Sequence, residues 1–281
     1  MKQKKSTTII LILIFLVGLS LLLYPSVSDY WNSFTQSRAI ASYVEAVANM
    51  DGNEYDHLRQ LAYDYNASLN QRGNNFTLSD DQRAKYEQLL NVGGNGVMGY
   101  VEVPSIDVSL PIYHGTDEGV LQVAVGHLEW TSLPVGGEGS HCVISGHRGL
   151  PSAKLFTDLD EIVAGDTFLL RILDETLTYE VDQILIVLPH EISDLTIEPG
   201  KDYCTLVTCT PYGVNSHRML VRGHRIETVA PEKEIRVTAD AMQIEPLLIA
   251  PMMAVPVLLV LLIALMLPRK RRPNGDDDDE M

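Results

Sequence analysis

From residue 97 onward the chain falls into short runs: "GYVEVPSI", "VSLPIYHGT", "HCVISGH", "GDTFLLRIL", "LTYEVDQILIVLP", "YCTLVTC" and "RMLVRGHRI". Turn residues separate the runs. Alternating and β-branched content marks them as strands, and seven or eight strands at this spacing predict an all-β barrel or sandwich. The same stretch holds no internal repeat, no phosphate-binding glycine loop and no paired CxxC.

Two apolar blocks flank this region and do not belong to its core. Lys2, Lys4 and Lys5 precede an apolar run from Ile9 to Leu23, the pattern of a secretory signal or a retained anchor, and the run alone leaves both open. Residues 247–267, "LLIAPMMAVPVLLVLLIALML", are long enough to span a bilayer and are followed by Arg269, Lys270, Arg271 and Arg272. Positive charge stays on the cytoplasmic side, so both termini are expected inside and the middle outside. The resulting plan is a signal or anchor at 1–28, a helical stalk or lid region at 29–96 and a catalytic barrel at 97–228. A linker at 229–246, a spanning helix at 247–267 and a charged tail at 268–281 complete it.

The net charge of the chain is −16. The basic residues at the two ends outnumber the acidic run Asp276–Glu280, so the exposed middle is more acidic than the whole. A domain of that sign repels nucleic acid and anionic head groups. No side chains cluster at metal-ligand spacing, and no cofactor is implied. Before the barrel, "DYWNSFTQSRAIASYVEAVANM" and "NEYDHLRQLAYDYNASLNQR" have amphipathic helical spacing. Ser79 and Gln82 stand at capping-box spacing ahead of a third helix. The glycosylation patterns at Asn66 and Asn75 are short enough to arise by chance and carry no weight.

The chemistry rests on two strand ends. "SHCVISGHRGLP" releases His147 into a loop, and "DYCTLVTCTPYG" does the same with Cys209. Loops on a rigid scaffold are where reactive groups concentrate. A thiol nucleophile needs a base or cation to sustain its thiolate and a donor for the oxyanion. His147 supplies acid–base chemistry, and Arg218, across the turn "CTPYGVNSHR", returns a guanidinium toward Cys209. For each residue alone the plainer reading is a buried thiol or a surface ion pair. His127 shapes a groove or caps a turn, His217 points away from Arg218, and Glu102 and Asp107 face solvent.

Three blocks change the weight of these residues: "MGYVEVPSIDVSLPIYHGT", "GHLEWTSLPVGGEGSHCVISGHRGLPSAKLFTDLD" and "TLVTCTPYGVNSHRMLVRGHR". From Met98 to Arg225 the chain resembles the sortases, specifically the class C or pilus-assembly sortases of Gram-positive bacteria. The resemblance implies a closed eight-stranded β-barrel with short helices, preceded by an N-terminal helical segment and flanked by membrane segments. It places His147, Cys209 and Arg218 at the catalytic positions and Thr208, Pro211, Tyr212 and Leu133 in substrate binding. The implied reaction cuts an LPXTG-like sorting signal between Thr and Gly and joins the product to an acceptor lysine of another pilin subunit. Anchoring to peptidoglycan and a catalytically idle pilin-binding scaffold are the alternatives, separated by the product formed and by the effect of Cys209→Ala.

Two departures follow from the resemblance. Class C enzymes carry an Asp-Pro-aromatic lid, and no such motif occurs between Leu61 and Asn95. Either Cys209 is open or Phe76 covers it as a divergent lid, and the sequence favours the open groove. Cys142 and Cys204 each stand five residues before a catalytic residue on strands that the family places side by side. A disulfide and two buried thiols both remain open.

Overall fold

The computed structural model describes residues 2–69 and 77–228. Phe76, the expected spanning helix at 247–267 and the charged tail lie outside the described residues. The chain separates into two compact units, Ser28–Glu234 and the pair Met1–Val27 with Ile235–Met281. Residues 2–27 of the latter are helical.

Ser28–Glu234 holds a closed eight-stranded barrel. Its strands are β1 (Val97–Val103), β2 (Val108–His114), β3 (Val125–His127), β4 (Ser140–Ser145), β5 (Thr167–Ile172), β6 (Glu175–Val187), β7 (Asp202–Thr210) and β8 (His217–Ile226). They run in the order β1-β2-β3-β4-β7-β8-β6-β5, and β5 pairs back on β1. Closure leaves no strand edge to pair with a neighbouring chain. The β2–β3 and β4–β7 pairs are parallel and the others antiparallel.

Side-chain alternation fills the barrel. Val101, Ile112, Leu170, Leu206 and Val221 point inward and are almost fully buried. The rings of Phe168 and Tyr179 stack with centroids 5.5 Å apart. On the opposite face of β7 and its neighbours, Val143, Val187, Leu195, Val207 and Leu220 form a second apolar cluster. Val187, Leu195, Val207 and Leu220 of this outer cluster line the groove described below.

Helices α1 (Lys2–Ala48), α2 (Gly52–Leu69) and α3 (Asp80–Tyr86) precede the barrel, and α4 (Glu118–Leu121) crosses between β2 and β3. Within the stalk or lid region expected at 29–96, α2 packs against the barrel. Ala62, Tyr65 and Leu69 of α2 belong to the barrel's own core cluster. Asn66 clamps Leu133 from both sides, accepting from its N–H at 2.7 Å and donating to its carbonyl at 3.2 Å. Asn66 is only 6% exposed, so its side chain is structural and closed to a glycan. Tyr43 of α1 is buried and accepts from the Leu173 N–H at 2.7 Å. Ser79 caps α3 as the spacing predicts, with reciprocal bonds between Ser79 and Gln82.

Candidate active site

Register brings the reactive residues together. β4 and β7 run parallel with Ser145 opposite Val207, so both strands leave the barrel at the same end. The ladder continues one residue further: the Gly146 N–H donates to the Val207 carbonyl at 3.0 Å, and the Thr208 hydroxyl donates to the Gly146 carbonyl at 2.9 Å. His147 is the next residue on one side and Cys209 the next on the other. In the antiparallel β7–β8 pair Cys209 stands directly opposite Arg218. Such partners have Cβ atoms about 4.5–5.5 Å apart on one face of the sheet. Alternation turns Thr208 into the barrel and Cys209 out of it.

The three side chains share a groove of about 440 Å³ with Val187, Ile192, Leu195, Val207, Leu220 and Trp130 along its apolar floor and walls. Cys209 is partly exposed and carries a free thiol. His147 is held below the ordinary histidine range by its burial, with the nearby Arg218 charge adding to the effect and Glu118 opposing it. The imidazole therefore rests neutral at neutral pH, ready to accept a proton. Arg218 is fixed by Nη1, which donates to the backbone carbonyls of His217 at 3.0 Å and Asn215 at 3.2 Å. A thiol, an imidazole and a fixed guanidinium in one apolar groove can attack a carbonyl, move the proton and hold the oxyanion.

The sortase domain family matches residues 101–226. Sortase C1 of Streptococcus agalactiae is 49% identical with a TM-score of 0.67, the alignment covering 68% of this chain and 100% of that one. The chain belongs to the sortase family. Streptococcus pneumoniae sortase C is 44% identical with a TM-score of 0.59, over 69% of this chain and 99% of that one. These solved neighbours are class C sortases. Among curated relatives, Bacillus subtilis sortase D is 32% identical over 46% of this chain and 63% of its own length. Streptococcus agalactiae sortase A is 30% identical over 41% of this chain and 47% of its own length. The match thus spans about half to two thirds of those two curated relatives.

Other positions singled out in the sequence fare differently in this sortase. Leu133, expected to touch substrate, is fully buried in the barrel core and does not line the groove. Its backbone is taken by Asn66, and that clamp turns it inward. Thr208 borders the groove although its side chain turns into the barrel, where its hydroxyl is committed to Gly146. Pro211 and Tyr212 lie beyond the groove wall, and Tyr212 is 61% exposed. His127 is fully buried and braces a turn, its Nε2 bonding the Ser132 carbonyl at 2.8 Å and its Nδ1 the Tyr86 hydroxyl at 2.9 Å. Glu102 is half-buried and accepts from Arg171 Nε at 3.0 Å, so it is an ion-pair partner on the barrel wall.

Cys142 and Cys204 are register partners on β4 and β7, both buried and both free thiols. The disulfide left open by the sequence is not formed. Burial pushes the Cys204 thiol well above its ordinary range, which keeps it inert. Sequence reasoning missed Glu118 beside His147 and the apolar residues Ile192, Leu195 and Trp130 of the groove. The "LEWTSLP" segment held the one visible signal, a tryptophan among turn residues.

Proposed function

We propose that the protein is a membrane-anchored cysteine transpeptidase that joins pilin subunits through an isopeptide bond. The carrying observation is the facing pair Cys209–Arg218 with His147 in the same groove. His147 takes the proton of the Cys209 thiol, the resulting thiolate attacks the Thr carbonyl of an LPXTG-like sorting signal, and Arg218 holds the oxyanion of the tetrahedral adduct. As that adduct collapses, the Thr–Gly bond breaks, His147 protonates the departing glycine amine, and a thioester remains on Cys209. A lysine amine of a second pilin then attacks the thioester, and His147 takes its proton. The thiolate leaves and the isopeptide bond is complete.

The apolar floor of the groove suits the leucine and proline of such a signal. Class C neighbours at 44–49% identity support the pilin reading, and the pneumococcal sortase C is described in terms of pilin substrate specificity. The apolar part of α1 supports the anchor, since it is the described helix long and apolar enough to cross a membrane. The catalytic unit then lies on the outer face.

Intact-mass spectrometry of the Ser28–Glu234 unit with an LPXTG peptide, wild type beside Cys209→Ala, tests this. The expected result is a thioacyl adduct on the wild type that a pilin lysine discharges into a cross-linked product. An adduct that persists on Cys209→Ala, or a wild type that never acylates, would sink the reading. Discharge by wall peptide but not by pilin would shift it to surface-protein anchoring.

A further inference from the structure

The ladder that aligns β4 and β7 ends at Gly146, so something else must hold His147 against Cys209. The backbone of His147 makes one bond outward, its carbonyl accepting from the Phe156 N–H at 3.1 Å. The residues that follow do more. The Arg148 side chain is 11% exposed, its Nη2 donates to Asp160, and its guanidinium carbon lies 5.9 Å from the centroid of the Tyr212 ring. Gly149 has φ +73° and lies so close under the same ring that a Cβ there would come within 2.7 Å of Tyr212 Cε2. Only a glycine combines that backbone conformation with that approach. Tyr212 is three residues beyond Cys209 and packs against the two residues that follow His147, yet it does not line the groove.

We propose that Tyr212 and Arg148 are positioning residues that latch the His147 loop to the Cys209 loop. The Tyr212 ring rests on Arg148 and Gly149, and Asp160 holds the guanidinium in place beneath it. The latch fixes the separation of imidazole and thiol that the open ends of β4 and β7 would otherwise leave loose. This rests on the transpeptidase reading for its consequence but not for its geometry.

The test is the pH profile of Cys209 alkylation by iodoacetamide, which needs no sorting signal, followed by single-turnover acylation with an LPXTG peptide. The charged groups facing His147 are Glu118 and Arg218, and neither is altered. Tyr212→Ala is expected to displace the alkylation profile from that of the wild type. Its maximal acylation rate should fall by about ten- to a hundredfold, the scale of an ångström-level misplacement, with the half-saturating peptide concentration unchanged. Tyr212→Phe keeps the ring and should restore both readouts. Asp160→Asn, which removes the carboxylate charge that holds the guanidinium, should fall between. Thermal melts confirm folding, and if Tyr212→Ala does not fold, Asp160→Asn decides by the same profile. An unmoved alkylation profile overturns the latch. So does a Tyr212→Ala that raises only the half-saturating concentration, or a Tyr212→Phe as impaired as the alanine variant. A wild type that alkylates normally but never acylates refutes the transpeptidase reading and leaves the profile to judge the latch.

Discussion

At Arg218 the chemistry depends on shape as well as charge. The guanidinium presents a planar fork, and its Nη1 is tied back to two carbonyls, so the remaining donors have a fixed direction. Lysine offers a point charge on a freely rotating stem. Arg218→Lys should therefore lower the acylation rate by about 10²–10³-fold, the usual cost of losing an oxyanion donor, without shifting the melting temperature. Acylation followed by mass spectrometry beside a thermal melt checks this, and a near-normal rate would exclude an oxyanion role. Both Cys209 and Arg218 were legible as residues, because their types and strand-end positions suggest chemistry. Leu133 was not: nothing local shows that Asn66, far off in sequence, holds its backbone and turns it into the core.

At the level of elements, α2, α3 and the part of α1 from Ser28 onward belong to the same compact unit as the barrel. Asn66 of α2 accepts from the Leu133 N–H, while the Leu133 carbonyl keeps a second donor in the Val135 N–H at 2.8 Å, so losing Asn66 orphans one buried donor at a cost of about 1–3 kcal/mol. Asn66→Ala should lower the melting temperature by several degrees; a melt superimposable on wild type would mean that water replaces the side chain at no cost. Within the same unit α1 grips the loop after His147. Asp29 accepts from the Lys154 N–H at 2.8 Å, and Asn32 donates to the Ser152 carbonyl at 2.7 Å. Tyr43 and Val47 pack with Val97 at the start of β1. A protein beginning at Ser28 should therefore be more stable and more active than one beginning at Gly52. Calorimetry and the acylation rate of the two proteins decide it, with equal values counting against α1 as a functional element. The amphipathic spacing of α1 and α2 was readable, but spacing shows that a helix has an apolar face without saying what covers it.

Across the whole molecule, burial sets how stability responds to acid. His114, His141 and His147 are all held below the ordinary histidine range, chiefly by burial. Near pH 6.5 the unfolded chain accepts protons that the folded one refuses. The folded state therefore has its full stability above that value and loses it as pH falls through the ordinary range toward the depressed pKa values. Asp202, raised by burial, acts in the opposite sense but nearer the carboxylate range. Melts at pH 7.5 and 5.5 should show the lower temperature at 5.5; a rise or no change would show that these histidines are not protected by the fold.

The sequence by itself determined that the chain builds short strands, carries apolar segments near its ends and places a histidine, a cysteine and an arginine at strand ends. Those properties follow from local periodicity, turn residues and composition. Tertiary structure alone decided that β4 and β7 lie parallel and in register, that β8 returns Arg218 opposite Cys209, and that Cys142 and Cys204 meet as free thiols in the core. Alternation tells which face a residue occupies but not which strand lies beside it. Pairing between strands far apart in sequence is chosen by closure of the whole barrel and burial of its core, and those are properties of the assembled chain.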